Sequence, residues 1–197
     1  MIKAVFVDRD GTLNVEKGHV FKIEDFELLP GTIEALKLLT QRDIKIFVIT
    51  NQAGIAKGYY NEEQFKEITQ HITGIFQAED IAIEKTLYCP HHPHGVVLEY
   101  TKSCECRKPG TLLIESVMAE NHYKHNELVL IGDKNTDIDA GFKLGLRTYL
   151  VLTGYGHEHK EKTNATYVTP DLLSAVRHLL KMEDGDRPLM SVEEGHG

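Results

Sequence analysis

The sequence predicts an α/β fold built on a doubly wound, mostly parallel sheet. Short apolar, β-prone runs alternate with stretches of helical periodicity along most of the chain. Three of those runs end in acids or hydroxyls: Val5-Phe6-Val7 before Asp8-Arg9-Asp10-Gly11-Thr12, 44–49 before Thr50-Asn51-Gln52, and 128–131 before Gly132-Asp133. Polar groups at the carboxyl ends of buried strands are where open α/β sheets keep their ligands.

The elements follow in order. The first strand ends at Val7, and Gly11 lets the chain turn sharply away from it. A polar stretch, 14–25, shows no clear period. Pro30-Gly31-Thr32 opens a helix with Ile33, Leu36 and Leu39 on its apolar face and Thr32 as N-cap. A second buried strand covers 44–49, and a glycine-containing loop, 53–60, leads to a helix over about 62–79. Asn61 and Gln64 stand at capping-box spacing before that helix. A third strand, 84–88, stops at Cys89. An irregular segment reaches Pro109, and a helix follows over about 111–121. The fourth strand is 128–131, then comes a short helix ending at Lys143 with Gly145 fitting its C-terminal cap. The fifth strand is 147–151, a last short strand lies near Tyr167, and a helix runs from Pro170 to about Met182. One domain over 1–182 is expected. The remainder, 183–197, is acidic and glycine-rich and reads as a disordered tail.

At 197 residues the chain can bury a sizeable core, and its 41% hydrophobic and 26% charged residues are ordinary for a soluble globular protein. A net charge of −8 with a pI near 5.7 argues against general binding to nucleic acid or anionic membrane. No run is long and apolar enough to span a bilayer, and the N-terminus lacks the features of a signal peptide. A cytoplasmic monomer acting on a small molecule is therefore expected. Its three cysteines, an odd number crowded between 89 and 106, suit a metal better than disulfides.

An isolated pair of aspartates one residue apart is as often a turn as a site. Here Asp8 and Asp10 share the carboxyl ends of the strands with Thr50 and Asp133, and Lys108 lies at the start of the helix after the third strand. The carboxylates can hold Mg²⁺, a hard ion that prefers oxygen and keeps waters for a substrate phosphate. The hydroxyl and the ammonium can hold the remaining phosphoryl oxygens. Asp137 is explained equally well by helix capping or first-turn charge and stays outside this set. A second set, Cys89-Pro90-His91 with Cys104-Glu105-Cys106, offers three thiolates and an imidazole to a structural Zn²⁺. On composition alone His92 and His94 compete with His91.

The order DxDGT, TN, lysine and GDxxxD, over about residues 1–180, resembles the haloacid dehalogenase (HAD) superfamily of phosphatases. That resemblance implies a Rossmann-type, HAD-like sheet. It makes Asp8 the nucleophile that becomes an aspartyl-phosphate, and Asp10 the acid and then the base. Thr50 and Lys108 would stabilise the phosphoryl group, with Asp8, Asp10 and Asp133 at the Mg²⁺.

"DRDGTLN", "TNQAGIAKG", "CPHHP", "CECRKP" and "GDK" together are similar to the small, zinc-bearing members that have no large cap domain. These are the D-glycero-D-manno-heptose 1,7-bisphosphate phosphatases and their relatives acting on histidinol phosphate. This likeness picks His91 as the fourth zinc ligand. It implies substrate contacts from Glu16, Lys17, Gly18, His19, Asn51, Gln52, Ala53, Arg107 and Lys134. The implied reaction is loss of the 7-phosphate from the heptose bisphosphate, on the way to nucleotide-activated heptose and lipopolysaccharide, with histidinol phosphate as the alternative substrate. Ala53 stands where a serine is common, and "RKPGTLL" is shorter than the "RKPxPG" form.

A receiver module of phospho-signalling also joins acids, Thr and Lys on such a sheet. It accepts phosphate on a mid-chain Asp, whereas the mid-chain strand here ends at Cys89.

Overall fold

The computed structural model describes residues 1–185. Six strands, β1 (Ala4–Val7), β2 (Lys45–Asn51), β3 (Ile83–Cys89), β4 (Leu128–Gly132), β5 (Arg147–Val151) and β6 (Tyr167–Thr169), form one sheet in the order β3-β2-β1-β4-β5-β6. Every pairing in it is parallel. Among the described residues seven α-helices accompany it: α1 (Thr32–Thr40), α2 (Ala53–Ala56), α3 (Glu62–Ala78), α4 (Leu112–Asn121), α5 (Asn135–Lys143), α6 (Gly156–His159) and α7 (Leu172–Gly185).

The four residues of β1 are fully buried because the strand is covered on both faces. Val5 and Val7 join Val48, Val129 and Ile131 on one face, beneath Leu36 and Leu39 of α1, Ile68 and Phe76 of α3 and Val176 and Leu179 of α7. Ala4 and Phe6 face the other way with Phe47, Ile49, Leu128 and Leu130, under Ile114 and Val117 of α4 and Ala140 of α5. Truncating a core leucine such as Leu36 to alanine would cost about 2–5 kcal/mol. The strand order runs outward from β1 in both directions, so the loops after β1 and β4 part and leave a crevice between them. The amide of Asp8 donates to the carbonyl of Ile131 at 2.9 Å, so the pairing of β1 with β4 continues to the edge of that crevice.

Local chemistry decides several boundaries. Asn61 and Gln64 form the expected reciprocal cap of α3, at 2.9 and 3.0 Å. Gly145 takes a positive φ of 66° just past α5. Thr32 is not the N-cap of α1. Gly31, at φ 82°, holds that position, and the Thr32 hydroxyl donates instead to the carbonyl of Leu13 at 2.9 Å. The loop at 53–60 contains the one-turn α2.

Residues 183–185, expected in the tail, are helical. Glu183 accepts from the amide of Ile2 at 2.8 Å and from Arg147 at 3.2 Å, while Asp184 takes both guanidinium nitrogens of Arg42. The rest of the expected tail, 186–197, lies outside the described residues. No helix among the described residues is long and apolar enough to cross a membrane.

Candidate active site

The turn after β1 is wound around one carbonyl: the amides of Thr12, Leu13 and Asn14 all donate to the carbonyl of Arg9. Gly11, at φ 86°, packs against the Asp133 carboxylate so closely that a Cβ there would collide with it, and Gly154 does the same from the other side. Two glycines thus clear the space in which the ends of β1 and β4 meet.

Lys108 is the centre of that space. It is 3% exposed, and its ammonium reaches Asp8 Oδ1 at 2.7 Å, Asp137 Oδ1 at 2.6 Å and the carbonyl of Ile49 at 2.7 Å. Burial opposes the charge on Lys108, but Asp137 and Asp8 outweigh it and raise the pKa. The side chain of Asn51 anchors the backbone of Lys108 from both ends, donating to its carbonyl and accepting from its amide, each at 3.0 Å.

Asp8, Asp133 and Asp137 offer oxygens that lie within 4.8 Å of one another. Burial pushes Asp133 up to about 8, with the Asp8 charge adding to it, and burial pushes Asp8 up to about 6 against the pull of Lys108. Asp133 Oδ2 accepts from the amide of Tyr155 at 2.8 Å, whereas Asp133 Oδ1 is buried with no partner. An unpaired buried carboxylate oxygen beside two further acids fits a hard divalent cation such as Mg²⁺. Asp137 belongs to this group, in contrast to the sequence expectation, yet both of its oxygens are engaged. Oδ1 meets Lys108, and Oδ2 caps α5 through the amide of Lys134 at 3.0 Å.

The Asp10 side chain lies outside that carboxylate group. It accepts from Arg9 at 3.1 and 2.8 Å, from Asn14 at 3.0 Å and from Gln52 at 3.0 Å. Burial alone would raise its pKa, but Arg9 and the neutral donors hold it below the ordinary value. Gln52 also donates to the buried hydroxyl of Thr50 at 2.7 Å.

Around these groups is a cavity of about 400 Å³, lined in part by Asp8, Asp10, Thr50, Asn51, Gln52, Ala53 and Lys108. Glu16, Gly18, His19, Arg107 and Lys134 also line it, as expected. Glu16 ties two walls together, accepting from the amide of Gly18 at 2.7 Å and from Lys134 at 3.0 Å. Lys134 lies over the Tyr155 ring at 4.5 Å, and its charge is favoured because Asp133, Asp8 and Glu16 outweigh its burial. His19 packs on Tyr59 with ring centres 4.7 Å apart, and burial together with nearby Lys57 lowers its pKa.

Lys17 is the one expected contact that does not line the cavity; its ammonium pairs with Glu27 at 3.0 Å on the surface. Thr136 and Tyr155 line it without having been among the expected contacts, and Lys57 adds a further cation to its wall. Thr136 stands in the first turn of α5 at a position the GDxxxD motif leaves open, and Tyr155 lies in the loop after β5, where spacing offers no motif. Lys57 carried only its charge as a signal.

In the loop after β3, Cys89, His91, Cys104 and Cys106 converge. Sulfur–sulfur distances are 3.1, 3.2 and 3.5 Å, and His91 Nδ1 lies 3.2 Å from Cys106 Sγ and 3.7 Å from Cys89 Sγ. No disulfide joins these cysteines. His92 and His94 turn to each other instead, with ring centres 5.8 Å apart. Four soft donors around one point could hold Zn²⁺. Arg107 donates to the carbonyl of His91 at 3.3 Å, which links this loop to the cavity wall.

Residues 105–175 match the HAD-hydrolase-like family model. The chain is 39% identical over 174 residues to the D-glycero-alpha-D-manno-heptose-1,7-bisphosphate 7-phosphatase of Photorhabdus laumondii, covering 88% of this chain and 94% of that one. It is 33% identical over 183 residues to the D-glycero-beta-D-manno-heptose-1,7-bisphosphate 7-phosphatase of Escherichia coli K12, covering 92% and 96%. A crystal structure of D,D-heptose 1,7-bisphosphate phosphatase from B. bronchiseptica, complexed with magnesium and phosphate, matches with a TM-score of 0.83 at 25% identity over 92% of this chain and 99% of that one. With its motifs on the expected strands and relatives this similar over most of its length, the chain belongs to the D-glycero-D-manno-heptose-1,7-bisphosphate 7-phosphatase family of HAD-like hydrolases.

Proposed function

We propose that this protein is a Mg²⁺-dependent phosphatase that removes the 7-phosphate of a D-glycero-D-manno-heptose 1,7-bisphosphate by way of a phosphoryl group on Asp8. The observation that carries this reading is the buried chain Asp8–Lys108–Asp137 beside the unpaired oxygen of Asp133.

Asp8 attacks phosphorus, the bond from phosphorus to the sugar oxygen breaks, and Asp10 gives that oxygen a proton. In the second half Asp10 takes a proton from water as the water attacks phosphorus, which frees orthophosphate and restores the Asp8 carboxylate. The donors around Asp10 favour its anion, which suits the second half. Its service as an acid requires a proton and a turn away from Arg9. Thr50 accepts from Gln52, so its own hydroxyl proton is free for a phosphoryl oxygen. Lys108 can share with the phosphoryl group the proton it gives to Asp8.

Asp8 and Asp133 would hold Mg²⁺, which when bound would supply the positive charge that lets one anion approach another. Cys89, His91, Cys104 and Cys106 would hold a structural Zn²⁺, a closed set with no open position for catalysis.

The test is phosphate release with Mg²⁺ from heptose 1,7-bisphosphate, fructose 1,6-bisphosphate and histidinol phosphate. The heptose bisphosphate is expected to give the highest kcat/KM. A preference for histidinol phosphate would overturn the assignment.

A further inference from the structure

We infer that Tyr60, acting through Gln52, is a positioning residue that fixes Thr50 and Asp10 together, coupling the group that holds the phosphate to the group that protonates the leaving oxygen. This rests on the proposed phosphatase reading and adds to it a residue that no strand-end motif contains.

The side chain of Gln52 is 3% exposed and has a donor or an acceptor on each of its faces. Its Nε2 donates to Thr50 Oγ1 at 2.7 Å and to Asp10 Oδ2 at 3.0 Å. Its Oε1 accepts from the Tyr60 hydroxyl and from Arg9 Nη2 at 3.4 Å. A guanidinium can only donate and a carboxylate can only accept, so the amide has a single orientation that satisfies all four partners. Arg9 is a long contact and is also committed to Asp10 at 2.8 Å and to the carbonyl of Val20 at 2.8 Å. The Tyr60 hydroxyl is therefore the stronger anchor of Oε1.

The Tyr60 ring is itself held in place. It is 5% exposed and stacks on Phe21 with ring centres 4.9 Å apart and planes 12° from parallel. On another side it lies against Gly54, where a Cβ would strike the ring carbons. Glycine is required at position 54 because the ring occupies the space of a side chain. Ile55 and Phe65 complete the apolar setting. Burial raises the Tyr60 pKa, so the hydroxyl keeps its proton and remains a donor. The line from Phe21 and Gly54 through Tyr60 and Gln52 ends on two catalytic groups, yet Tyr60 is not among the residues that line the cavity.

Removing the hydroxyl leaves Oε1 on the long Arg9 contact and lets the amide tilt away from Thr50 and Asp10. The loss should fall on kcat more than on KM. It should also depend on the leaving group. A sugar alkoxide needs its proton from Asp10, whereas p-nitrophenolate leaves without help.

The experiment measures kcat and KM of wild type, Tyr60→Phe, Gln52→Ala and the double variant, with Mg²⁺, on heptose 1,7-bisphosphate and on p-nitrophenyl phosphate. Tyr60→Phe keeps the ring between Phe21 and Gly54 and should melt close to wild type. On the sugar phosphate its kcat should fall about tenfold with KM within about twofold, whereas on the aryl ester kcat/KM, which reports the half-reaction that expels the leaving group, should fall about threefold or less. Gln52→Ala should show the same leaving-group bias, and the double variant should be no slower than Gln52→Ala alone. Unchanged kcat in Tyr60→Phe on the sugar phosphate, equal fractional losses of kcat/KM on both esters, or additive losses in the double variant would overturn the inference while leaving the phosphatase reading in place. A wild type that releases no phosphate from either ester would remove that reading and this inference with it.

Discussion

The ammonium of Lys108 and the carboxylate of Asp137 stand 2.6 Å apart with both side chains almost wholly buried. In the proposed reaction Asp137 would therefore act through Lys108, supporting the lysine's charge against burial and holding it beside Asp8. With the Asp137 charge removed, burial is less opposed and the Lys108 pKa falls. Asp137→Asn should lower kcat about tenfold or more and move the alkaline limb of the pH–rate profile to lower pH. A profile that superimposes on wild type would show that the pair does not govern the charge.

Asp8 should be irreplaceable. Its carboxylate lies at the end of β1 in contact with Lys108, and asparagine has the same shape without the nucleophile. Asp8→Asn should turn over several orders of magnitude more slowly, with the fold intact by circular dichroism. Retention of even a tenth of the wild-type rate would remove Asp8 from the role of nucleophile.

The crowded acids predict a link between pH, stability and metal. Asp133 is raised to about 8 and Asp8 to about 6 from an ordinary 3.8, so the folded protein holds these protons more tightly than the unfolded chain does. The stability they contribute is fully present below the ordinary value and is lost as pH rises through about 6 and then about 8. Metal-free protein should therefore lose stability over that window. A cation that binds the ionised acids should compensate, so the rise in Tm on adding Mg²⁺ should be larger at pH 8 than at pH 6. An equal rise at both would contradict the linkage.

How far the sequence reveals this site depends on how local each signal is. Asp8 and Asp133 are legible because each directly follows a buried strand and Thr50 because it stands at the end of one, and parallel pairing then brings the strand ends together. The cap of α3 is legible for the same reason, since Asn61 and Gln64 satisfy each other within one turn. Thr32 defeats local reading because its hydroxyl partner is Leu13, 19 positions earlier. Asp137 reads as a cap and is one, but its second oxygen meets Lys108 from a loop that sequence spacing cannot place. Lys17 and Lys134 look alike as charges. Only the fold decides that Glu27 draws one out to the surface and Glu16 holds the other at the cavity.

The loop after β3 should depend on zinc. With Cys89, His91, Cys104 and Cys106 converging and no disulfide present, protein prepared without chelator should carry close to one Zn²⁺ per chain by elemental analysis. Cys104→Ser should lower Tm, because ligation of a structural metal stabilises the fold directly. It should also raise KM, since the carbonyl of His91 holds Arg107. Protein free of zinc and fully active would sink this role.

Arg107 should decide which phosphate esters the cavity accepts. A bisphosphate brings a second dianion, which needs cations beyond Lys108 and the metal. Among the cations at the cavity, Lys134 is paired with Glu16 and lies over Tyr155, Lys57 adds a single ammonium to the wall, and Lys17 is outside altogether. Among the described residues the Arg107 guanidinium has one hydrogen bond, at 3.3 Å to the His91 carbonyl, and its fork can meet two phosphate oxygens at once. Arg107→Ala should therefore raise KM for heptose 1,7-bisphosphate and for fructose 1,6-bisphosphate about tenfold or more, with kcat changed much less. Histidinol phosphate has no second phosphate, so its kcat/KM should stay within about twofold of wild type. Equal losses on all three substrates would mean that Arg107 serves the reacting phosphate or the fold, and not the second anion.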